Sequence, residues 1–171
     1  MTSRLIVLAA GGTGGHLFPA QALAEALIRR GYAIHLMTDE RVRDYGRSFP
    51  ALETHLVPAA TISPGKPHLL PGQLLRLYKG YQTARGVLER LKPLAVAGFG
   101  GYPSFPPVIA ASRLKIPSLI HDQNAVMGRA NRALSRFADA VASSFPMSPS
   151  ICSSSAAARG PASSPNSCRK W

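Results

Sequence analysis

The run Leu5-Ile6-Val7-Leu8-Ala9-Ala10, leading straight into Gly11-Gly12-Thr13-Gly14-Gly15-His16-Leu17-Phe18-Pro19, constrains the fold more than any other part of the chain. An apolar run without polar alternation reads as a strand covered on both faces, the kind found in parallel sheets. The glycines around Thr13 strip the following turn of Cβ atoms, so the backbone can adopt positive φ and a ligand can come close to it. A helix is expected over residues 19–30, with Ala20, Leu23, Ala24, Leu27 and Ile28 on one face and Gly31 as its stop. Strand, glycine turn and helix N-terminus together aim backbone N–H groups along the positive end of a helix dipole, which suits phosphate. A tight structural connection is the plainer reading of the same glycines. His16 either hydrogen-bonds locally or acts as a general base, since histidine exchanges a proton near neutral pH.

The rest of the chain repeats this alternation. Ala33 to Thr38 reads as a second strand, completing a βαβ unit with a parallel pair. Thr54 to Val57 is a short third strand, and the proline- and glycine-rich residues 58–72 are expected to be loop. Over residues 73–91 a long helix is expected, with Leu74, Leu77, Tyr81, Ala84, Leu88 and Leu91 as its core stripe. Then come a strand from Leu94 to Ala97 and a second glycine turn, Gly98-Phe99-Gly100-Gly101-Tyr102-Pro103. A short helix over 107–113 precedes a strand from Pro117 to Ile120, which ends in His121-Asp122-Gln123-Asn124. A helix over 128–137 and a strand from Ala138 to Ser143 complete the pattern.

Such alternation predicts a Rossmann-like α/β fold, a doubly wound and mostly parallel sheet, with ligands bound beyond the carboxyl ends of its strands. The unusual residues fall there: His16, Asp39-Glu40, Gly100-Gly101-Tyr102 and His121 to Asn124. The domain is expected over residues 1–146. The segment 147–171 is rich in Ser, Ala and Pro, has no acidic residue and no hydrophobic period. It is expected to be a disordered low-complexity tail, closer to a shifted reading frame or an artefact than to an evolved linker.

Charge narrows the partners. Lys and Arg number 20 against 8 Asp and Glu, a net charge of +12 over 171 residues, which favours an anionic partner. No recognisable nucleic-acid module accompanies it, so nucleic acid is not expected. Leu17 stands where a dinucleotide fingerprint needs its third glycine, and no Gly-Lys-Ser/Thr follows as in a Walker loop. Cys152 and Cys168 lack metal-ligand spacing, no Asp-x-Asp occurs, and neither metal nor cofactor is expected. No apolar run approaches the ~20 residues that cross a bilayer. The protein is read as cytoplasmic. His35, inside a strand, is expected to be structural, while His55 and His68 have no supporting motif. Leu69, Leu70, Leu75 and Tyr78 lie off the helix's core stripe among Lys66, Arg76, Lys79, Arg85, Arg90 and Lys92. That mixture suits an anionic membrane surface, or else a solvated helix face.

With these residues in hand, the chain resembles the MurG family of bacterial peptidoglycan N-acetylglucosaminyltransferases. The resemblance rests on Gly11 to Pro19, Gly100-Gly101-Tyr102-Pro103-Ser104 and His121-Asp122-Gln123-Asn124, and covers about residues 3–146. It implies the amino-terminal half of a two-domain GT-B enzyme that moves N-acetylglucosamine from UDP-N-acetylglucosamine to lipid I, forming lipid II with inversion and without a metal. It also implies peripheral attachment to the cytoplasmic face of the inner membrane. Thr13, Gly14, Gly15 and Asn124 would contact the UDP-sugar, and His16 would be the catalytic base. Gly12, Gly100, Gly101, Tyr102 and Gln123 would hold the acceptor diphosphate; Leu70, Leu75, Arg76, Tyr78 and Lys79 would dock on the anionic membrane. Asp122 stands where the family commonly has glutamate, and Phe105 where glycine is common. The family places most donor contacts in a second domain that this sequence lacks. The polypeptide alone is therefore expected to be weakly active or inactive; the alternative is an inactive fragment that binds membrane or lipid diphosphate.

Overall fold

The computed structural model describes residues 4–42, 49–61, 65 and 67–145. In chain order the elements are β1 (Leu5–Ala9), α1 (Gly14–Ile28), β2 (Ala33–Thr38), β3 (Glu53–Leu56), α2 (Leu70–Leu91), β4 (Ala95–Gly98), α3 (Phe105–Arg113), β5 (Ser118–Asp122), α4 (Arg129–Leu134) and β6 (Ala140–Ser143). Short 3-10 turns lie at Glu40–Val42, Pro67–Leu69 and Tyr102–Ser104. The segment expected to be a disordered tail falls outside the described residues.

The apolar run of β1 is hydrogen-bonded on both edges, because it lies mid-sheet. Leu5 to Ala9 pair in parallel with Ala33 to Met37 of β2, and Ile6 to Ala9 pair with Ala95 to Gly98 of β4. The six strands run in the order β3-β2-β1-β4-β5-β6, all parallel. The chain reverses its direction of travel across the sheet after β3, so the carboxyl ends of β1 and β4 flank a topological switch point.

Alternating residues feed opposite faces. Leu8, Ala10, Ile34, Leu36, Ala97 and Phe99 pack with Leu17, Ala20 and Ala24 of α1. On the other face Val7, Ala9, Met37 and Val96 pack with Ala84 and Leu88 of α2 and Ala110 and Ala111 of α3. A third cluster joins Val108 of α3, Ile120, Val141 and Leu134 of α4. The side of β4, β5 and β6 that faces α1 carries no helix among the described residues. It forms a trough of about 600 Å³ lined by Leu23, Ala97, Phe99, Leu119, His121 and Ala142, among others.

Three expectations are corrected. First, α1 begins at Gly14, not near Pro19, and Pro19 sits inside the helix. The hydrogen bond Pro19 cannot donate is to the carbonyl of Gly15, in the exposed first turn, where the cost of losing it is smallest. Second, α2 begins at Leu70, within the stretch expected to be loop. Its early proline, Pro71, occupies a first-turn position where its missing N–H has no partner to lose. Third, Leu74 is no core residue; it is 57% exposed, and the buried positions of α2 are Gly80, Ala84 and Leu88. The remaining elements differ from expectation only at their ends. The helix expected over 128–137 is shortened to Arg129–Leu134, and α3 begins two residues earlier than expected, at Phe105.

Candidate functional site

Because α1 starts at Gly14, His16 belongs to the first helical turn, and the glycine turn is itself the helix N-terminus. Thr13 is the N-cap in extended conformation, and its side chain makes no capping bond. Its carbonyl accepts hydrogen bonds from the N–H groups of His16 (3.1 Å) and Leu17 (3.3 Å). Gly12 has φ 88°, and open space lies where a side chain would stand. That face of the turn is bare backbone beside the positive end of α1.

The second glycine turn closes against the first. Gly100 (φ 89°) and Gly101 (φ 72°) press on the His16 ring: a Cβ on either would stand 3.2–3.3 Å from ring atoms. The Cβ of any other residue at Gly101 would also meet the Gly11 carbonyl at 3.0 Å. The buried Ser104 hydroxyl ties the two turns together through the Ala9 carbonyl (2.9 Å) and the Gly100 carbonyl (2.8 Å). From the third direction, the Gln123 side-chain nitrogen hydrogen-bonds His16 Nδ1. Residues far apart in sequence thus meet on one histidine at the carboxyl edge of the sheet.

The polar cluster after β5 divides its labour. Asp122 is buried, and its carboxylate accepts from Asn124 N (2.9 Å), Asn124 Nδ2 (3.2 Å), Gly128 N (3.0 Å) and Asn131 Nδ2 (2.9 Å). It organises the loop and leaves Asn124 exposed at the rim. Asn131 also donates to the His121 carbonyl (3.1 Å), and its Nδ2 would lie 3.2 Å from a Cβ on Gly100. His121 turns away from the rim into the apolar trough, against the Phe99 ring. Burial pushes its imidazole below the ordinary histidine value, only partly offset by Asp122 and Gln123. Tyr102 follows Gly101 and stacks on Phe105 at 6.1 Å between centroids.

Among the described residues, the buried side-chain polar atoms without a hydrogen bond are Thr38 Oγ1, Asp39 Oδ1, His121 Nδ1, Gln123 Oε1 and Asn131 Oδ1. All belong to the carboxyl ends of β2 and β5 or to α4 beside them. Unpaired buried polar groups are rare in folded proteins and concentrate where a structure does chemistry. Beyond the carboxyl end of β2, a cleft of about 580 Å³ opens between Asp39, Glu40 and Arg41, the loop at Ala59–Thr61, and Leu69, Gly72 and Arg76. Its cations are matched by acids: Arg41 binds Asp39 at 2.6 Å, and Arg76 lies 3.7 Å from Glu40.

Of the residues expected on a membrane surface, Leu75 and Tyr78 are exposed (55% and 57%), as are Arg76 and Lys79. Leu70 is half-buried, and Leu74, assigned to the core by its spacing, joins the exposed set instead, with Leu69. No helix among the described residues is long and apolar enough to cross a membrane. The sequence reading missed one cluster: His35 and His55, read separately, stack on each other across β2 and β3. Only the parallel register of two strands, hidden until the fold is known, brings them together.

A parallel sheet with two glycine turns and a histidine at its switch point defines a Rossmann-like α/β domain. The chain belongs to glycosyltransferase family 28: the model of its N-terminal domain matches residues 6–143. Two similar proteins are named UDP-N-acetylglucosamine–N-acetylmuramyl-(pentapeptide) pyrophosphoryl-undecaprenol N-acetylglucosamine transferase. The one from Rhizobium johnstonii is 52% identical over 145 residues, covering 85% of this chain and 39% of the relative. The one from Allorhizobium ampelinum is 54% identical over the same shares. The crystal structure of Acinetobacter baumannii MurG aligns with a TM-score of 0.69 at 33% identity, over 83% of this chain and 41% of that one. UDP-N-acetylglucosamine 2-epimerase from Rickettsia bellii aligns over 98% of this chain and 44% of its own at 0.64 and 18% identity, a likeness of fold alone. The chain spans about two fifths (39%) of the length of the curated relatives it matches.

Proposed function

We propose that this chain is the acceptor-binding half of an inverting N-acetylglucosaminyltransferase that moves N-acetylglucosamine from UDP-N-acetylglucosamine to lipid I at the cytoplasmic face of the inner membrane. The observation that carries the reading is His16, held between two glycine turns with Gln123 on its Nδ1. The names of the relatives supply the substrates.

In a single displacement, the acceptor hydroxyl oxygen bonds to the anomeric carbon as the bond to UDP breaks. The hydroxyl proton goes to His16 Nε2, and UDP leaves with the electron pair. A half-turn of the Gln123 amide brings Oε1, otherwise unpartnered, against Nδ1–H and leaves Nε2 free to accept that proton. Gln123 then sets the tautomer of the base as well as lying near the diphosphate. Thr13, Gly14, Gly15 and Asn124 face the donor; Gly12, Gly100, Gly101 and Tyr102 offer backbone N–H groups and a hydroxyl to the acceptor diphosphate. The charge-balanced cleft between Asp39 and Arg76 opens from the carboxyl end of β2 to exposed Leu69. Leu74, Leu75, Tyr78 and Lys79 continue that surface, which suits a lipid-linked acceptor entering from a membrane.

Co-sedimentation of the chain with anionic liposomes, with and without an undecaprenyl diphosphate lipid, tests the reading. Binding to plain anionic liposomes is expected, and the diphosphate lipid is expected to raise it. Gly100→Ala, which crowds His16 and Asn131, loses the increment but keeps the basal binding. Leu75→Asp with Tyr78→Asp loses both. No increment from the diphosphate lipid overturns the acceptor role. Vigorous UDP release by the chain alone, on a lipid I analogue, contradicts its being half of the catalytic unit.

A further inference from the structure

His35, Glu53 and His55 form a cluster that the glycosyl-transfer reading does not use. In the parallel register of β2 and β3, His35 stands directly opposite Glu53, and His55 follows two residues later opposite Met37. All three therefore project from one sheet face, the face that packs under α2. His35 Nδ1 and His55 Nε2 are 2.9 Å apart and the two rings stack at 5.2 Å between centroids. Glu53 places Oε2 3.7 Å from His35 Nδ1 and Oε1 3.7 Å from His55 Nδ1. One ligand atom from each residue lies within 4.8 Å of the others. The imidazoles are nearly buried, at 11% and 7% exposure, whereas the carboxylate is 55% exposed.

We propose that His35, His55 and Glu53 are the protein ligands of a zinc-class divalent metal site that pins the edge strand β3 to β2. Two imidazole nitrogens and a carboxylate oxygen are a borderline-soft donor set, which suits zinc and disfavours magnesium. Tetrahedral zinc with bonds of about 2.0–2.1 Å sets its ligand atoms roughly 3.3 Å apart. To reach that spacing the nitrogens open from 2.9 Å and Glu53 Oε2 closes from 3.7 Å on His35 Nδ1, with all three ligand atoms already within 4.8 Å of one another. The metal takes the place of the direct hydrogen bond between the two rings. Burial fixes the rings, and the exposed side by Glu53 leaves the fourth position to water. Arg90, at the end of α2, is the cation that bears on His55. Glu53 bears on His55 more strongly than Arg90 does, and in the opposite direction. A four-residue strand at a sheet edge has a partner on one side only, so a cross-strand clasp holds it where hydrogen bonds alone are few. The site lies near the start of β3, away from the glycine turns, so the proposal stands whether or not the glycosyl-transfer reading does.

The test is a zinc titration of the full chain carrying Cys152→Ser and Cys168→Ser, against a chromogenic chelator, with thermal unfolding followed in parallel. One zinc per chain at micromolar affinity or tighter is expected, with a rise in the unfolding midpoint; magnesium is expected to give neither. His35→Gln with His55→Gln abolishes both effects. Glu53→Gln, at an exposed position where folding is not at stake, weakens zinc at least tenfold. Absence of zinc binding overturns the proposal, and so does binding that Glu53→Gln and the double histidine variant leave unchanged.

Discussion

Asp122 carries more of this site than any residue that faces the cleft. Its two carboxylate oxygens accept four hydrogen bonds, from Asn124, Gly128 and Asn131, and it is 1% exposed. Removing the acceptor strands those donors, the Asn131 amide in the interior among them, and each buried orphan costs about 1–3 kcal/mol. Asp122→Ala is therefore expected to lower stability by about 3 kcal/mol or more in urea unfolding. Asp122→Asn, which keeps one acceptor, is expected to lose less. A loss under about 1 kcal/mol for the alanine variant contradicts the network as the support of the loop. The same carboxylate explains why four consecutive polar residues end an apolar strand. Asp122 holds the backbone, Asn124 is presented, Gln123 reaches His16, and His121, on the strand face opposite Asp122, lines the apolar trough.

At the scale of elements, glycine decides where α2 can sit. A Cβ on Gly80 would stand 1.9 Å from the Pro58 carbonyl oxygen, which no side-chain motion can relieve. Gly86, on the same helix, has nothing within 4 Å of that position. The same substitution therefore has opposite signs six residues apart. Gly80→Ala is expected to destabilise by about 2 kcal/mol or more, because helix and loop must separate. Gly86→Ala is expected to stabilise by up to about 1 kcal/mol through helix propensity. Chemical denaturation of both variants checks the pair; equal effects would mean that α2 does not rest on the Pro58 loop. The amino-terminal part of α2 behaves differently again. Leu74, Leu75 and Tyr78 at spacings of one, three and four share a solvent-facing side of the helix. Periodicity alone assigned Leu74 to the core, because spacing finds an apolar stripe without revealing which of two stripes the sheet covers.

Over the whole molecule, the parallel sheet is covered unevenly. Parallel sheets ordinarily carry helices on both faces, yet among the described residues α1 covers only one part of its own face. The trough over β4, β5 and β6 is predominantly apolar, with His121 the ionisable group turned into it from β5. The chain is expected to raise the fluorescence of a hydrophobic dye such as ANS while retaining native secondary structure. Ala22→Glu, which sets a charge on the exposed edge of α1 lining the trough, is expected to lower that signal. A native chain with no dye enhancement argues against an accessible trough.

Local chemistry was legible from residues alone wherever neighbours in sequence decide the outcome. The β1 run announced a buried strand of a parallel sheet, the glycines flanking Thr13 a strand-to-helix turn, and the unusual residues after four strands the carboxyl edge of that sheet. Element types followed for the same reason, since hydrophobic period and turn residues act over a few positions. Tertiary structure decided what depends on residues remote in sequence. It moved the start of α1 back to Gly14, because packing of Leu17 and Ala20 against the sheet outweighs one bond lost at Pro19. It turned Gln123 onto His16 and Asp122 into the loop. It also stacked His35 on His55, a contact set by the register between β2 and β3, which no spacing along the chain encodes.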